Sequence, residues 1–164
     1  MKKFTYLLTA GFLSFSICMP MTGHAASKET VNQKEAFSFL KKTFNAQVSL
    51  TEKERSKAEM EQILSQYMTP KLVKQYMKAN AVKGEKEWIV YGTDYPVLTV
   101  PFFDYNNRTK VEENKDSVLV YQHFNSENKA AVNSDDHYES VKLVKINGKW
   151  KADSIEDYTK QLRD

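Results

Sequence analysis

Tyr121 and His123 stand two residues apart in an alternating apolar run, so an extended chain puts both on one face together with Leu119. A phenol beside an imidazole is an acid-base pair, and Asp94 is the carboxylate expected to join it if that face lines a recess. The competing reading gives His123 no catalytic role and makes it a hydrogen-bonded rim residue. Downstream of residue 26 the other histidine is His137, preceded by Asp135 and Asp136. Adjacent strand residues point to opposite faces, so these three converge on a metal ion only from a loop, and no metal site is expected. Gly84, Gly92 and Gly148 are too scattered for a phosphate-cradling loop or a dinucleotide fingerprint. The chain also has no G-x-S-x-G elbow and no H-E-x-x-H helix, so neither a cofactor nor a hydrolase motif is expected.

Trp88, Tyr91, Tyr95, Phe102, Phe103 and Tyr105 place six rings within 18 residues. Core packing accounts for most such rings. Pro96 and Pro101 keep part of the tract out of regular pairing, which leaves some rings for a cleft or a partner surface. With Asp94, Tyr121 and His123, these six are the candidate ligand- or partner-binding residues. Basic residues are not interleaved among the rings, which argues against stacking on single-stranded nucleic acid.

Three helices and a sheet must position these groups. Phe37, Leu40, Phe44 and Val48 follow helical spacing and predict a helix from about Val31 to Gln47. Thr51 and Glu54 read as a capping box for a second helix with Met60, Ile63, Leu64, Tyr67 and Met68 on its apolar face. Thr69-Pro70 opens a third, whose face is Leu72, Val73, Tyr76 and Met77 and which ends at Asn80 to Gly84. From Glu87 the period falls to two. Strands are expected at Trp88 to Tyr91, Val97 to Val100 and Ser117 to Phe124, with a charged turn at Glu112 to Asp116 and a polar connection at Ser126 to Asp135.

Asn147-Gly148 predicts a type I′ hairpin over Ser140 to Ile155. The turn sets the register: Ile146 opposite Lys149, Lys145 opposite Trp150, Val144 opposite Lys151, Leu143 opposite Ala152 and Lys142 opposite Asp153. Val141, Leu143, Trp150 and Ala152 then form one apolar patch for the helices, with Lys142 and Asp153 as an exposed ion pair on the other face. Ser154 and Asp157 read as caps of a short C-terminal helix through Leu162.

Helices first, then a meandering sheet closing with Val141 to Ile155, resemble the NTF2-like, cystatin-like α+β fold. That resemblance implies N-terminal helices packed on a curved antiparallel sheet to form a cone, used by family members as a ligand pocket, a dimerisation face or, rarely, an active site. It selects none of these uses. Reading three helices before any strand departs from the usual order of that family. The stretch Tyr91 to Pro96, followed by Val100 to Tyr105 and Thr109 to Val111, resembles a family of small secreted Gram-positive proteins of unknown function.

Residues 1–25 set the address. Lys2-Lys3, an apolar run from Phe4 to Cys18, and small residues ending at Ala25 have the order of an export signal. The run is shorter than the ~20 residues needed to span a bilayer, and Ile17 before Cys18 disfavours a lipid anchor. A secreted product, cleaved near Ala25, with one domain over residues 26–164 is expected. Cys18 is the single cysteine, so the exported domain has no disulfide and no thiolate chemistry. Residues 27–83 carry 11 basic and 6 acidic groups while residues 84–164 carry 11 and 15. The chain is bipolar, and its basic helical half suits weak contact with an anionic cell surface through Lys41, Lys42, Lys53 and Lys57. The preferred expectation is a secreted, non-enzymatic binding or protein-interaction module for a protein or small ligand, with room for a homodimer through the open sheet face. The alternatives are an extracellular enzyme using Asp94, Tyr121 and His123, and a wall- or membrane-surface module.

Overall fold

A computed structural model describes residues 32–93, 97–125 and 136–158. The expected export signal, the polar connection at Ser126 to Asp135, and Asp94 and Tyr95 lie outside the described residues.

Asn32 starts helix α1 (Gln33–Val48) with a capping box: its side chain accepts from the Glu35 N–H at 2.9 Å, and the Glu35 carboxylate accepts from the Asn32 N–H at 3.4 Å. The helix buries Ala36, Leu40, Thr43 and Gln47, a stripe rotated from the one its apolar residues outline. Phe37 and Phe44 are half-buried on the flank, and Val48 is exposed. A single 3-10 turn, Ser49–Thr51, follows; there Thr51 donates its hydroxyl to the Val48 carbonyl instead of capping a helix. Helix α2 (Lys57–Ser65) is capped by Ser56, which accepts from the Glu59 N–H, so the expected Thr51–Glu54 box is corrected. Helix α3 (Pro70–Asn80) begins at Thr69-Pro70 as its sequence dictates, and it buries Leu72, Val73, Tyr76 and Met77.

The carboxylate of Glu54 instead closes a hairpin. It accepts the N–H groups of Glu85, Lys86 and Glu87, each at 2.7 Å. These donors, that of Glu87 foremost, hold the Glu54 carboxyl below the ordinary carboxylate value. The turn they organise joins β1 (Ala81–Lys83) to β2 (Trp88–Val90), a pair in which Lys83 faces Trp88. A side chain at Gly84 would run into the Glu54 carboxylate and displace it from its three N–H donors. Next to it, the buried Arg55 exchanges both backbone hydrogen bonds with Trp88 and donates to the carbonyls of Ser49 and Lys53.

A second sheet is a four-stranded antiparallel meander, β3 (Lys110–Glu113), β4 (Ser117–Phe124), β5 (His137–Ile146) and β6 (Lys149–Tyr158). Glu112 and Glu113, read as part of a charged turn, therefore supply half of β3, and the turn itself is reduced to Asn114–Asp116. Asn147 and Gly148 take φ of 50° and 76°, as a type I′ turn requires, and the pairing runs as expected from Ile146↔Lys149 to Leu143↔Ala152.

There the ladder slips. Lys142 faces Ser154, leaving Asp153 as the extra residue of a bulge, so the expected Lys142–Asp153 pair does not form. The bulge resets the alternation and puts Ile155 opposite Val141 on the core side. The strand then continues to Tyr158, and the expected C-terminal helix is corrected over residues 154–158, because their backbone groups pair with Tyr138 to Lys142.

One face of the meander, Val118, Val120, Val141, Leu143 and Ala152, shares a single core with Leu40, Leu50, Met60, Leu64, Met68 and Leu72, and each of these side chains is at most 2% exposed. Trp150 is half-buried at the margin of that core. The connection between α2 and α3 is bonded directly to β6: Ala152 donates to the Tyr67 carbonyl at 2.8 Å and accepts from the Thr69 N–H at 2.9 Å. Lys151 adds its ammonium to the carbonyls of Ser65 and Gln66, at the C-terminal end of α2. The edge of the sheet is thereby covered where the helices dock.

Candidate functional site

Residues 97–109 form no strand, contrary to the expectation for Val97 to Val100. They run as an irregular strap, with turns at residues 97–98 and 106–108, antiparallel to α1. Successive contacts trace the path: Gln47 with Leu98 and Val100, Phe44 with Phe102, Phe37 and Lys41 with Tyr105, and Gln33 with Thr109. Leu98 and Tyr105 have φ of 54° and 55°, a conformation side-chain-bearing residues rarely adopt, which breaks the pleat at both ends.

Two buried glutamines replace the missing ladder. Gln47 donates from Nε2 to the Leu98 carbonyl at 2.9 Å and accepts the Val100 N–H on Oε1 at 3.0 Å. Gln122, on the inward face of β4, accepts the Asp104 N–H at 3.0 Å and the Thr109 hydroxyl at 2.7 Å, and donates to Asp104 Oδ2 at 2.7 Å. Asp104 is also paired with Arg108 at 2.7 Å, Tyr105 N–H reaches Thr109 Oγ1 at 3.0 Å, and Asn80 donates to the Val97 carbonyl at 2.9 Å. No motif or apolar period in the sequence marks either glutamine. Their signal was positional: Gln122 continues the inward series Val118, Val120, and Gln47 lies two helical turns beyond Leu40.

This scaffold sorts the aromatic tract. Phe103 is in the core, Tyr105 and Trp88 are half-buried, and Phe102 and Tyr91 are 71% and 63% exposed. Val100, Pro101 and Phe103 point inward around Phe102, so its outward direction is set by the strap. Its ring meets Phe44 edge-on, 5.3 Å between centroids, and Lys41 sits 4.7 Å from the centre of the Tyr105 ring. Burial pushes the Tyr105 hydroxyl up to about 12. Lys57 lies over Trp88 at 3.6 Å, while Lys41, Lys42, Lys53 and Lys57 are all exposed.

Tyr121 and His123 do share a face with Leu119, but it is the face turned away from the helical core, since the buried residues of β4 are Val118, Val120 and Gln122. Tyr121 donates its hydroxyl to Glu112 Oε1 at 2.6 Å. His123 is exposed and stacks on Tyr138 at 4.6 Å. His137 meets Glu139 at 3.0 Å and stacks on Phe124. Among the described residues no group of three or more His, Cys, Asp or Glu side chains is placed to hold a metal ion. Nor is any helix among them long and apolar enough to cross a membrane.

The fold and site define an α+β domain that presents an aromatic strap on its first helix. Residues 32–124 match the model of a family described as protein of unknown function, DUF3993, and the chain belongs to that family. The matched stretch holds α1 through β4, including the whole strap and both glutamines. No curated protein matches the chain.

Proposed function

We propose that this is a secreted, non-enzymatic binding module of NTF2-like architecture whose working surface is the strap along α1. The observation that carries the reading is Phe102, held 71% exposed on a segment whose backbone is otherwise anchored by buried side chains. Ordering such a segment costs conformational entropy, and the ring is not a scattered one, since Phe102 meets Phe44 and exposed Val48 lies one helical turn on. The helix-sheet interface supports the same reading, because its inward groups are mostly apolar and the buried glutamines Gln47 and Gln122 are engaged in holding the strap. Export through residues 1–25 and the NTF2-like cone belong to this proposal; the Asn147-Gly148 hairpin, with Val141, Leu143 and Ala152 in one core with the helices, supports the latter.

The test is a photo-reactive amino acid placed at position 102, and separately at position 123, in the full chain expressed in its own host. The expected outcome is a discrete adduct from position 102 and none from position 123. Adducts confined to position 123 would move the working surface to the outer sheet face, and a blank at both positions would remove the reading.

A further inference from the structure

Beside the strap, the flank of α1 carries a shallow open groove lined by Lys34, Phe37, Ser38, Lys41, Lys42 and Asn45. Among the described residues that line it, its three cations are accompanied by no carboxylate, and the carboxylates of helix and strap are engaged elsewhere: Glu35 in the α1 cap, Asp104 with Arg108 and Gln122. One edge of the groove is apolar. Phe102 stands there against Phe44, and Val48, 42% exposed, follows Phe44 by one helical turn. Resting on the binding reading above, we propose that this combined face docks on the surface of an anionic phospholipid bilayer, with Phe102 entering the headgroup boundary and Lys34, Lys41 and Lys42 facing lipid phosphates.

The two halves of the face argue for a bilayer over other polyanions. A soluble polyanion satisfies the lysines and leaves Phe102 and Val48 in water, whereas a membrane interface accommodates cations at the headgroup level and rings just beneath it. Several weak lysine contacts and one apolar anchor together give reversible attachment. The net-positive stretch of the chain, residues 27–83, supplies the lysines, Phe44 and Val48 of this face.

The experiment is co-sedimentation of the exported chain, residues 26–164, with vesicles of phosphatidylglycerol mixed into phosphatidylcholine, against phosphatidylcholine alone. Lys34→Gln/Lys42→Gln and Phe102→Ser serve as variants; all three side chains are exposed, and the unfolding midpoint checks the fold. Binding is expected on the anionic vesicles only, falling about fivefold per lysine removed, falling again with Phe102→Ser, and released by about 0.5 M salt. A Phe102→Trp reporter should shift its emission to the blue on those vesicles. Equal binding to both vesicle types, or none, overturns the proposal. So does binding indifferent to Phe102→Ser and competed by inorganic polyphosphate, which assigns the lysines to a soluble polyanion. A protein adduct from position 102 without vesicle binding would sink the bilayer and leave the binding module standing.

Discussion

Gln47 and Gln122 are uncharged and buried, and each satisfies backbone groups that a strand would have paired with a neighbour. Removing one leaves orphaned polar groups in a dry site, and each such group costs about 1–3 kcal/mol. Gln47→Ala strands the Leu98 carbonyl and the Val100 N–H, so a loss of about 2 kcal/mol or more is expected in urea unfolding, with faster proteolysis of the strap. Glu54 makes a pH-dependent contribution of the opposite character. Its folded pKa lies below the ordinary 4.5, so its stabilisation is complete above that value and is lost as the pH falls through the depressed one. The stability gap between wild type and Glu54→Gln, followed by urea midpoint, should therefore shrink on acidification below pH 4.5. A gap constant with pH would show that the three N–H donors are indifferent to the charge.

At the scale of elements, the β5–β6 hairpin shows how far local chemistry reaches. Asn147-Gly148 determines four residues of pairing on each side; beyond Leu143↔Ala152 the bulge at Asp153 takes over. The extra residue lies beside Ala152, where the α2–α3 connection bonds to β6, a tertiary contact that no short-range pattern in β6 announces. Deleting Asp153 keeps Ala152 opposite Leu143 and Ile155 opposite Val141, so the shortened protein should fold, within about 1 kcal/mol of wild type. Deleting Lys151 instead would turn Asp153 toward Leu143 in the core. That variant should lose several kcal/mol or fail to fold, because a buried carboxylate lacks a partner there. Thermal unfolding of the two deletions decides the matter.

Across the whole molecule, the strap and α3 bury tyrosines whose hydroxyls resist ionisation. Desolvation pushes Tyr76 up to about 12, against a weaker opposing bond to Thr99, and Tyr105 likewise to about 12. Their folded pKa lies above the ordinary 10, so the unfolded chain releases these protons first and stability falls as pH rises from 10 toward 12. Tyrosinate absorbance should show at least two of the nine tyrosines titrating late, together with loss of near-UV circular dichroism. Full titration of all nine near pH 10 with the fold intact would contradict the burial of this region.

The helices, β4 and the closing turn were legible because each rests on local rules: Thr69-Pro70 as a cap, Val118 to Gln122 as an alternation, Asn147-Gly148 as a positive-φ turn. The candidate site was legible only as a tract of rings. Which ring faces solvent depends on Gln47 and Gln122 reaching 51 and 18 residues along the chain to the strap, at Leu98 and Asp104. Side-chain hydrogen bonds of that range leave no period in the sequence. Composition and spacing thus determined the parts and most of their order, and the packing of the strap on α1 decided what the molecule shows to a partner, since only the assembled core says which polar groups must be satisfied and which apolar ones are left over.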